Sequence, residues 1–269
     1  MTAALIADSG GIRIAYELAG AGPPLVLVQG LGYARWGWDP VAPALADDFT
    51  VLLLDNRGIG ASDVPAGPYS ARAMAGDVVA VLDAAAIDRA HVLGTSLGGM
   101  VAQELAIRWP ERVDRLVLAC TTPGGGEAFP LPERTLRLLA EASALPPEVA
   151  LRRFVENALA ERTLVERPDL VQRLYEQRLA SPLDPAGWQA QAAAGSSHDA
   201  FARLGEIRSP TLVLHGTDDR VVDPRNAALL EQAIPDARLV LFPDAGHLLF
   251  WEEPERFVEA VRDFLREAA

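Results

Sequence analysis

Short apolar runs recur along the chain and alternate with segments of helical periodicity. The alternating apolar and polar residues at 11–18 predict a half-exposed strand at a sheet edge. Fully apolar runs at 25–28 and 51–54 predict strands that are buried on both faces. Largely apolar segments predict further strands at 91–95, 115–120, 211–214 and 238–242. Helical spacing lies between them, at 36–47, 70–86, 98–109, 223–233 and 254–268. This alternation predicts an α/β fold with a mostly parallel sheet and helices on both of its faces.

One block interrupts the alternation of strands and helices. Residues 123–205 contain Pro, Gly and long helical patterns, and they lack a convincing strand. We therefore expect a core formed by residues 1–122 and 206–269, with residues 123–205 as an α-helical insertion after the sixth strand.

Composition and charge narrow the classes of function. A net charge of −13 argues against nucleic acid or an anionic membrane as a partner, because both are bound by basic surfaces. All 24 basic residues are arginine, which excludes a Schiff-base lysine and the lysine of a phosphate-binding loop. The apolar runs are too short to span a bilayer, and residues 1–8 lack a basic region followed by an apolar core. We therefore expect a cytoplasmic protein without a secretion signal.

A serine between a predicted strand and a predicted helix is the main candidate for catalysis. Ser96 is the central residue of Gly94-Thr95-Ser96-Leu97-Gly98, and the glycines let neighbouring backbone pass close by. A tight turn of this kind exposes the serine hydroxyl above the edge of the sheet. The free N–H of Leu97, at the start of the helix, would face an oxyanion that forms when the serine attacks a carbonyl group. The pattern therefore predicts a nucleophilic serine.

A serine hydroxyl needs a base with a pKa near the working pH, and histidine is the usual one. His247 lies in the loop that leaves strand 238–242, at the sheet edge where the serine is expected. The acid that orients it would be Asp218 or Asp219, which follow strand 211–214 at the same edge. The other histidines are less suitable, since they lie at a strand start, in the helical insertion and at the start of a turn: His91, His198 and His215.

Four segments together resemble the α/β-hydrolase family over nearly the whole chain. They are the serine turn at 94–99 and the loops at 55–62, 215–219 and 245–247. The resemblance implies an eight-stranded, mostly parallel sheet and makes residues 123–205 an α-helical cap over the pocket. It also implies a catalytic triad in the order Ser96, Asp219 and His247, with Asp219 as the acid. Arg57 would pair with a nearby carboxylate and have a structural role.

The same resemblance implies the oxyanion hole. One donor would be the N–H of Leu97, and the second would be the backbone N–H of Leu31. Leu31 follows Gln29-Gly30, where relatives have a His-Gly pair. Because this donor belongs to the backbone, a glutamine in place of the histidine is compatible with an oxyanion hole. The chain is expected to need no metal or organic cofactor.

The implied reaction is the hydrolysis of a small carboxylic ester or lactone through an acyl-enzyme on Ser96. The chain is similar to serine esterases and 3-oxoadipate enol-lactonase-like hydrolases. Relatives with the same triad cleave carbon–carbon bonds, make peracids, act as cofactor-free oxygenases or serve as slow ligand receptors, so these functions stay open. Candidate substrate contacts are one polar and four aromatic residues: Gln29, Trp36, Phe129, Phe154 and Trp188. An arginine of residues 123–205 that turns inward would bind a substrate carboxylate.

Overall fold

The computed structural model describes residues 4–142 and 144–267. Residues 1–3, 268 and 269 of the expected core, and residue 143 of the expected cap, lie outside the described residues. The strands are β1 (Leu5–Ser9), β2 (Ile12–Ala19), β3 (Pro24–Val28), β4 (Thr50–Leu54), β5 (Ala90–Thr95), β6 (Val113–Ala119), β7 (Thr211–Gly216) and β8 (Ala237–Phe242).

These eight strands form one sheet in the order β1-β2-β4-β3-β5-β6-β7-β8. Strand β2 pairs antiparallel with β1 and β4, and every other neighbouring pair is parallel. The predicted eight-stranded, mostly parallel sheet is therefore confirmed. Among the described residues, no helix is long and apolar enough to cross a membrane.

Strand β1 lies at the sheet edge and was not predicted, and the strand expected at the edge, 11–18, is β2, which pairs with β1 and β4. Only Ala7 of its five residues is buried, and Leu5 and Ile6 face solvent. Its apolar residues Leu5, Ile6 and Ala7 are consecutive, so the segment lacks the alternation of apolar and polar residues that predicts a half-buried strand. The turn to β2 is closed by Asp8, whose carboxylate accepts a hydrogen bond from the N–H of Gly11 at 2.6 Å.

Helices cover both faces of the sheet. The helices that belong to the expected core are α1 (Ala42–Leu45), α2 (Ala71–Ala84), α3 (Leu97–Arg108), α9 (Arg225–Ala233), α10 (Leu249–Glu252) and α11 (Pro254–Arg266). Helices α2, α3 and α9 contribute to one buried apolar cluster, and α1, α10 and α11 contribute to a second. The sheet lies between these two clusters, which explains why its central strands are apolar on both sides.

The predicted helix at 36–47 is wrong, because two short elements take its place. A 3₁₀ helix covers Arg35–Trp38, and α1 begins at Ala42. Pro40 explains the interruption: it has no N–H to donate to the carbonyl of Trp36, as a continuous α-helix would require. The N–H of Asp39 donates to that carbonyl instead, at 3.0 Å.

The segment between β6 and β7 is helical. Its helices are α4 (Glu133–Ala142), α5 (Pro147–Asn157), α6 (Glu161–Glu166), α7 (Pro168–Ala180) and α8 (Pro185–Ser196), followed by a 3₁₀ helix at Phe201–Glu206. The carbonyl of Ala158 accepts a hydrogen bond from the N–H of Leu248 at 3.1 Å, so the segment packs on the loop that follows β8. We keep the name cap segment for residues 123–205, and the division into this cap and a core as a proposal.

Candidate active site

The turn at Ser96 connects β5 to α3 and has an unusual backbone. Ser96 has φ 54° and ψ −120°, a conformation that L-residues rarely adopt and that costs free energy. Hydrogen bonds stabilise it: the N–H of Ser96 donates to the carbonyl of Ala119 at 2.9 Å, and the hydroxyl of Thr121 donates to the carbonyl of Ser96 at 2.7 Å. The strained serine is therefore held by the last residue of β6 and by Thr121, which follows the strand.

Glycines on either side of Ser96 allow the close packing that the turn needs. A Cβ atom on Gly98 would lie 2.1 Å from the carbonyl oxygen of Val28, and one on Gly94 would lie 2.2 Å from that of Gly98. No side chain fits at either position without displacing backbone. The glycines therefore let the start of α3 pack directly against the ends of β3 and β5.

The loops after β7 and β8 bring an acid and a histidine together. Nδ1 of His247 lies 2.8 Å from Oδ2 of Asp219, and both side chains are buried. The other carboxylate oxygen of Asp219 accepts hydrogen bonds from the N–H groups of Val221 and Val222, at 2.8 and 2.9 Å. Nε2 of His215 lies 3.1 Å from Oδ2. Asp219 is thus surrounded by donors on both of its oxygens.

These donors keep the buried acid ionised. Burial by itself would raise the pKa of Asp219, but the charge and hydrogen bond of His247, together with His215, hold it well below its usual range. Asp218 has a different environment, since its carboxylate accepts a hydrogen bond from the N–H of Glu161 at 2.7 Å and pairs with Arg220 at 3.0 Å. Of the two acids that residue type and spacing left open, the structure therefore places Asp219 next to His247, the acid that the resemblance implied.

Cys120, His215 and Asp219 form a buried cluster whose potential metal-binding atoms lie within 4.8 Å of one another. This cluster does not fit a metal ion. Both oxygens of Asp219 are already occupied by hydrogen-bond donors. Burial also raises the pKa of the Cys120 thiol well above its usual value, whereas the metal ligand is the thiolate.

The loop at 29–33, which we call the oxyanion loop, lies beside the serine. A Cβ atom built on Gly30 would be 3.0 Å from Cβ of Ser96 and 3.6 Å from its Oγ. The carbonyl of Gln29 accepts a hydrogen bond from the side chain of Asn56 at 2.9 Å, which holds the start of the loop. Leu31 is partly buried against the apolar cluster beneath it. The N–H of Leu97 belongs to the first residue of α3, where backbone donors have no partner within the helix.

Comparison with known proteins identifies the family. A family model described as the α/β hydrolase fold matches residues 23–254. The chain belongs to the α/β-hydrolase family.

Three relatives of this hydrolase illustrate the range of activities. It is 34% identical to a 2-hydroxy-6-oxo-6-phenylhexa-2,4-dienoate hydrolase of Comamonas testosteroni, over 97% of this chain and 93% of the relative. The crystal structure of a hydrolase from Pseudomonas aeruginosa is 37% identical with a TM-score of 0.86, and 99% of each chain is covered. The enol-lactonase from Burkholderia xenovorans LB400 is 31% identical with a TM-score of 0.85, over 98% of this chain and 100% of that one.

Two of the aromatic residues selected from the sequence lie at the oxyanion loop of the hydrolase. The ring of Trp36 packs 5.2 Å from that of Tyr33 and 6.3 Å from that of Trp251. Trp188 of α8 reaches within 3.1 Å of the Cβ position of Gly32. Both tryptophans are therefore near the proposed oxyanion donor Leu31.

The other selected residues have different surroundings. The guanidinium of Arg225 lies over the ring of Phe129, 4.0 Å from the ring centroid. The side-chain amide of Asn226 on α9 binds the backbone N–H and carbonyl of Phe129. Phe154 is partly buried on α5. The amide nitrogen of Gln29 faces Gly37, since a Cβ there would lie 2.5 Å from it. All five selected residues remain substrate contacts only as proposals: Gln29, Trp36, Phe129, Phe154 and Trp188.

Arg57 of the hydrolase pairs with a carboxylate, as the resemblance implied. Its guanidinium forms two hydrogen bonds of 2.6 Å with the two oxygens of Asp77, a buried residue of α2. This bidentate contact stabilises the loop that follows β4.

Residues that hold the site together were missed from the sequence. Thr121 and His215 contact Ser96 and Asp219, and Gln191 and Arg178 of the cap segment bind the oxyanion loop. Two of them contact backbone atoms more than 140 positions away along the chain, so no local pattern could have indicated them.

Proposed function

We propose that the protein is a serine hydrolase that cleaves a small carboxylic ester or lactone through an acyl-enzyme. The proposal depends mainly on the 2.8 Å contact between His247 and Asp219, at the same sheet edge as the strained turn at Ser96. In parallel sheets this edge, at the carboxyl ends of the strands, is where ligands bind.

In the proposed reaction, Oγ of Ser96 attacks the substrate carbonyl carbon while Nε2 of His247 takes the hydroxyl proton. Asp219 holds the Nδ1–H tautomer of His247 and stabilises the imidazolium cation. The N–H groups of Leu31 and Leu97 stabilise the oxyanion. The imidazolium then protonates the leaving alcohol, and a water molecule activated by His247 hydrolyses the acyl-enzyme. Apart from the substrate and this water, these steps use only side chains and backbone groups of the chain.

The comparisons support two kinds of substrate. Similarity to the enol-lactonase from Burkholderia xenovorans LB400 favours an ester or lactone. Similarity to the 2-hydroxy-6-oxo-6-phenylhexa-2,4-dienoate hydrolase of Comamonas testosteroni supports a second candidate, the hydrolysis of a carbon–carbon bond next to a ketone. Both reactions use a polarised carbonyl group and an oxyanion hole.

The arginines of the cap segment offer limited support for a carboxylated substrate. Arg152, Arg153, Arg162 and Arg173 pair with acidic residues near the surface. Arg178 turns towards the core, but its guanidinium binds the carbonyl of Gly32 and lies over the ring of Tyr33. We therefore expect neutral esters and lactones to be the better substrates.

A substrate panel tests the proposal. The purified protein is assayed with short-chain aryl esters, simple lactones, an enol lactone and a 2-hydroxy-6-oxo-dienoate. Many turnovers per active site on esters or lactones support the proposal, whereas faster cleavage of the dienoate assigns the protein to carbon–carbon hydrolysis. A single slow burst on every compound would indicate a ligand receptor instead.

Replacement of the nucleophile gives the first specific prediction. Ser96→Ala should lower kcat on the best substrate at least about 10³-fold, because the nucleophile is lost. The variant should stay folded, since the hydroxyl lies on a partly exposed residue, and circular dichroism with thermal melting checks this. A folded variant that keeps more than about a tenth of the activity contradicts the assignment.

A further inference from the structure

Two side chains of the cap segment bind the two polar backbone groups of Gly32. The N–H of Gly32 donates to Oε1 of Gln191 at 3.1 Å, and the carbonyl of Gly32 accepts a hydrogen bond from Nη1 of Arg178. Gly32 has φ +71°, which favours glycine. The residue after Leu31 is therefore held entirely by α7 and α8.

Gln191 has the properties of a structural bridge. It is 1% exposed, and its amide nitrogen donates to the carbonyl of Arg57 at 2.7 Å. The amide oxygen of Gln191 thus binds the oxyanion loop, and its amide nitrogen binds the loop after β4. Arg178 is less buried and lies over the ring of Tyr33, 4.6 Å from its centroid.

These contacts act on consecutive peptide planes, which are rigid units. The N–H of Leu31 shares a plane with the carbonyl of Gly30, which accepts a hydrogen bond from Tyr33 at 3.4 Å. The next plane contains the N–H that donates to Gln191. The third contains the Gly32 carbonyl that Arg178 binds. Because the peptide planes before and after Leu31 are both held by hydrogen bonds, the direction in which its N–H points is fixed.

We propose that Gln191 is a positioning residue for the oxyanion hole and that Arg178 assists it. This inference rests on the proposed function, in which the N–H of Leu31 is an oxyanion donor. The contact couples the cap segment to the chemistry: the hole is complete only while α8 is seated on the oxyanion loop. Because the oxyanion forms only during the reaction, Gln191 acts on kcat and not on substrate binding.

The test compares two leucine variants of one helix. Gln191→Leu removes both hydrogen bonds with a side chain of similar size, and Gln189→Leu is the matched control, since Gln189 is exposed on α8. With a short-chain aryl ester, Gln191→Leu should lower kcat at least about tenfold and change KM less than about twofold. Loss of a whole oxyanion donor costs about 10²–10³ in kcat, so a misdirected donor costs less. Gln189→Leu should match the wild type in both.

Affinity for an alkylboronic acid provides a readout that a purely structural role would not change. Such acids form a tetrahedral anionic adduct with an active-site serine, so their affinity should fall by about the same factor as kcat. A change in KM alone, or no change in kcat and boronate affinity, overturns the inference. If Ser96→Ala is inactive and Gln191→Leu is fully active, only this inference fails. If Ser96→Ala is active, the proposed function itself fails.

A second pair of variants keeps the test decisive if Gln191→Leu does not fold. Arg178 is only partly buried, so Arg178→Met should fold and lower kcat several-fold without raising KM. Arg178→Lys keeps a cationic donor and should restore part of the loss. Equal kcat in Arg178→Met and the wild type overturns the inference.

Discussion

At the scale of single residues, the site depends on how a buried carboxylate is satisfied. Asp219 is fully enclosed, yet donors surround both of its oxygens, and one of these donors is His247. A buried charge is tolerated only with such partners. The arrangement keeps the acid ionised and fixes the ring of His247, which is what a general base requires.

The two neighbouring acids provide a matched pair of variants. Asp219→Asn should lower kcat by about 10⁴-fold, because an amide donor favours the wrong tautomer of His247. Asp218→Asn should change kcat less than about threefold, since its carboxylate contacts Glu161 and Arg220 and not the histidine. Steady-state kinetics with an aryl ester measures both, and the opposite ranking would transfer the role to Asp218.

At the scale of elements, α3 joins the serine turn to the end of the cap segment. His198, after α8, is buried, and its Nε2 lies 3.3 Å from Oε1 of Gln103 on α3. Glu104 of the same helix pairs with Arg203. Burial lowers the pKa of His198 to about 4. The charged groups Glu104 and Arg203 face it, so the contact between cap and α3 is sensitive to acid.

The sign of this effect follows from the depressed pKa. A histidine in an unfolded chain takes up a proton at about pH 6.5, whereas His198 in the folded protein does so only at about pH 4. The contribution of His198 to the free energy of unfolding is therefore complete above about pH 6.5 and is lost as the pH falls towards 4. The loss is about 3 kcal/mol, because each unit of pKa difference between the folded and unfolded states corresponds to about 1.4 kcal/mol. His198→Gln keeps a neutral amide without this titration, so it should lose less stability on acidification.

Urea unfolding at about pH 7 and about pH 4.5 measures the difference. The free energy of unfolding of the wild type should fall by about 2 kcal/mol more than that of His198→Gln between these conditions. Equal losses in the two proteins would show that His198 is not the titrating group.

At the scale of the whole molecule, the sheet separates two apolar clusters. Val78 of α2 belongs to one and Val261 of α11 to the other, and both are fully buried. The two valines lie on opposite faces of the sheet and pack in different clusters. Substitutions on opposite faces should therefore act independently.

A double-mutant cycle tests this independence. Val78→Ala and Val261→Ala should each cost about 2 kcal/mol of unfolding free energy through lost burial and a small cavity. The double variant should lose the sum to within about 0.5 kcal/mol. Urea denaturation measures all four proteins, and a coupling above about 1 kcal/mol would show that the sheet transmits strain between its faces.

Most of the order of strands and helices, the sheet type and the turn at Ser96 could be predicted from the sequence. These features depend on neighbouring residues, because burial on both faces gives apolar runs and a strand-to-helix turn needs glycines close to the serine. The break in the predicted helix at 36–47 was also local, since Pro40 removes a backbone donor, but helical spacing on both sides concealed it. Strand β1 has no alternation of apolar and polar residues, because only one of its residues is buried at the sheet edge.

The residues by themselves left open which acid meets His247, and only the resemblance to the family favoured Asp219; the tertiary structure shows that contact and alone decided how the oxyanion loop is held. Asp218 and Asp219 are adjacent in the chain, so residue type and spacing alone could not separate them, and the direction of each side chain depends on how the loop after β7 folds. Gln191 and Gly32 are 159 residues apart. A hydrogen bond from a side chain to distant backbone leaves no periodicity in a sequence, because any residue can supply the backbone group. The sequence therefore determined which groups are present at the sheet edge. The fold of the loops after β7 and β8 and the packing of the cap segment on the oxyanion loop decided which of them touch.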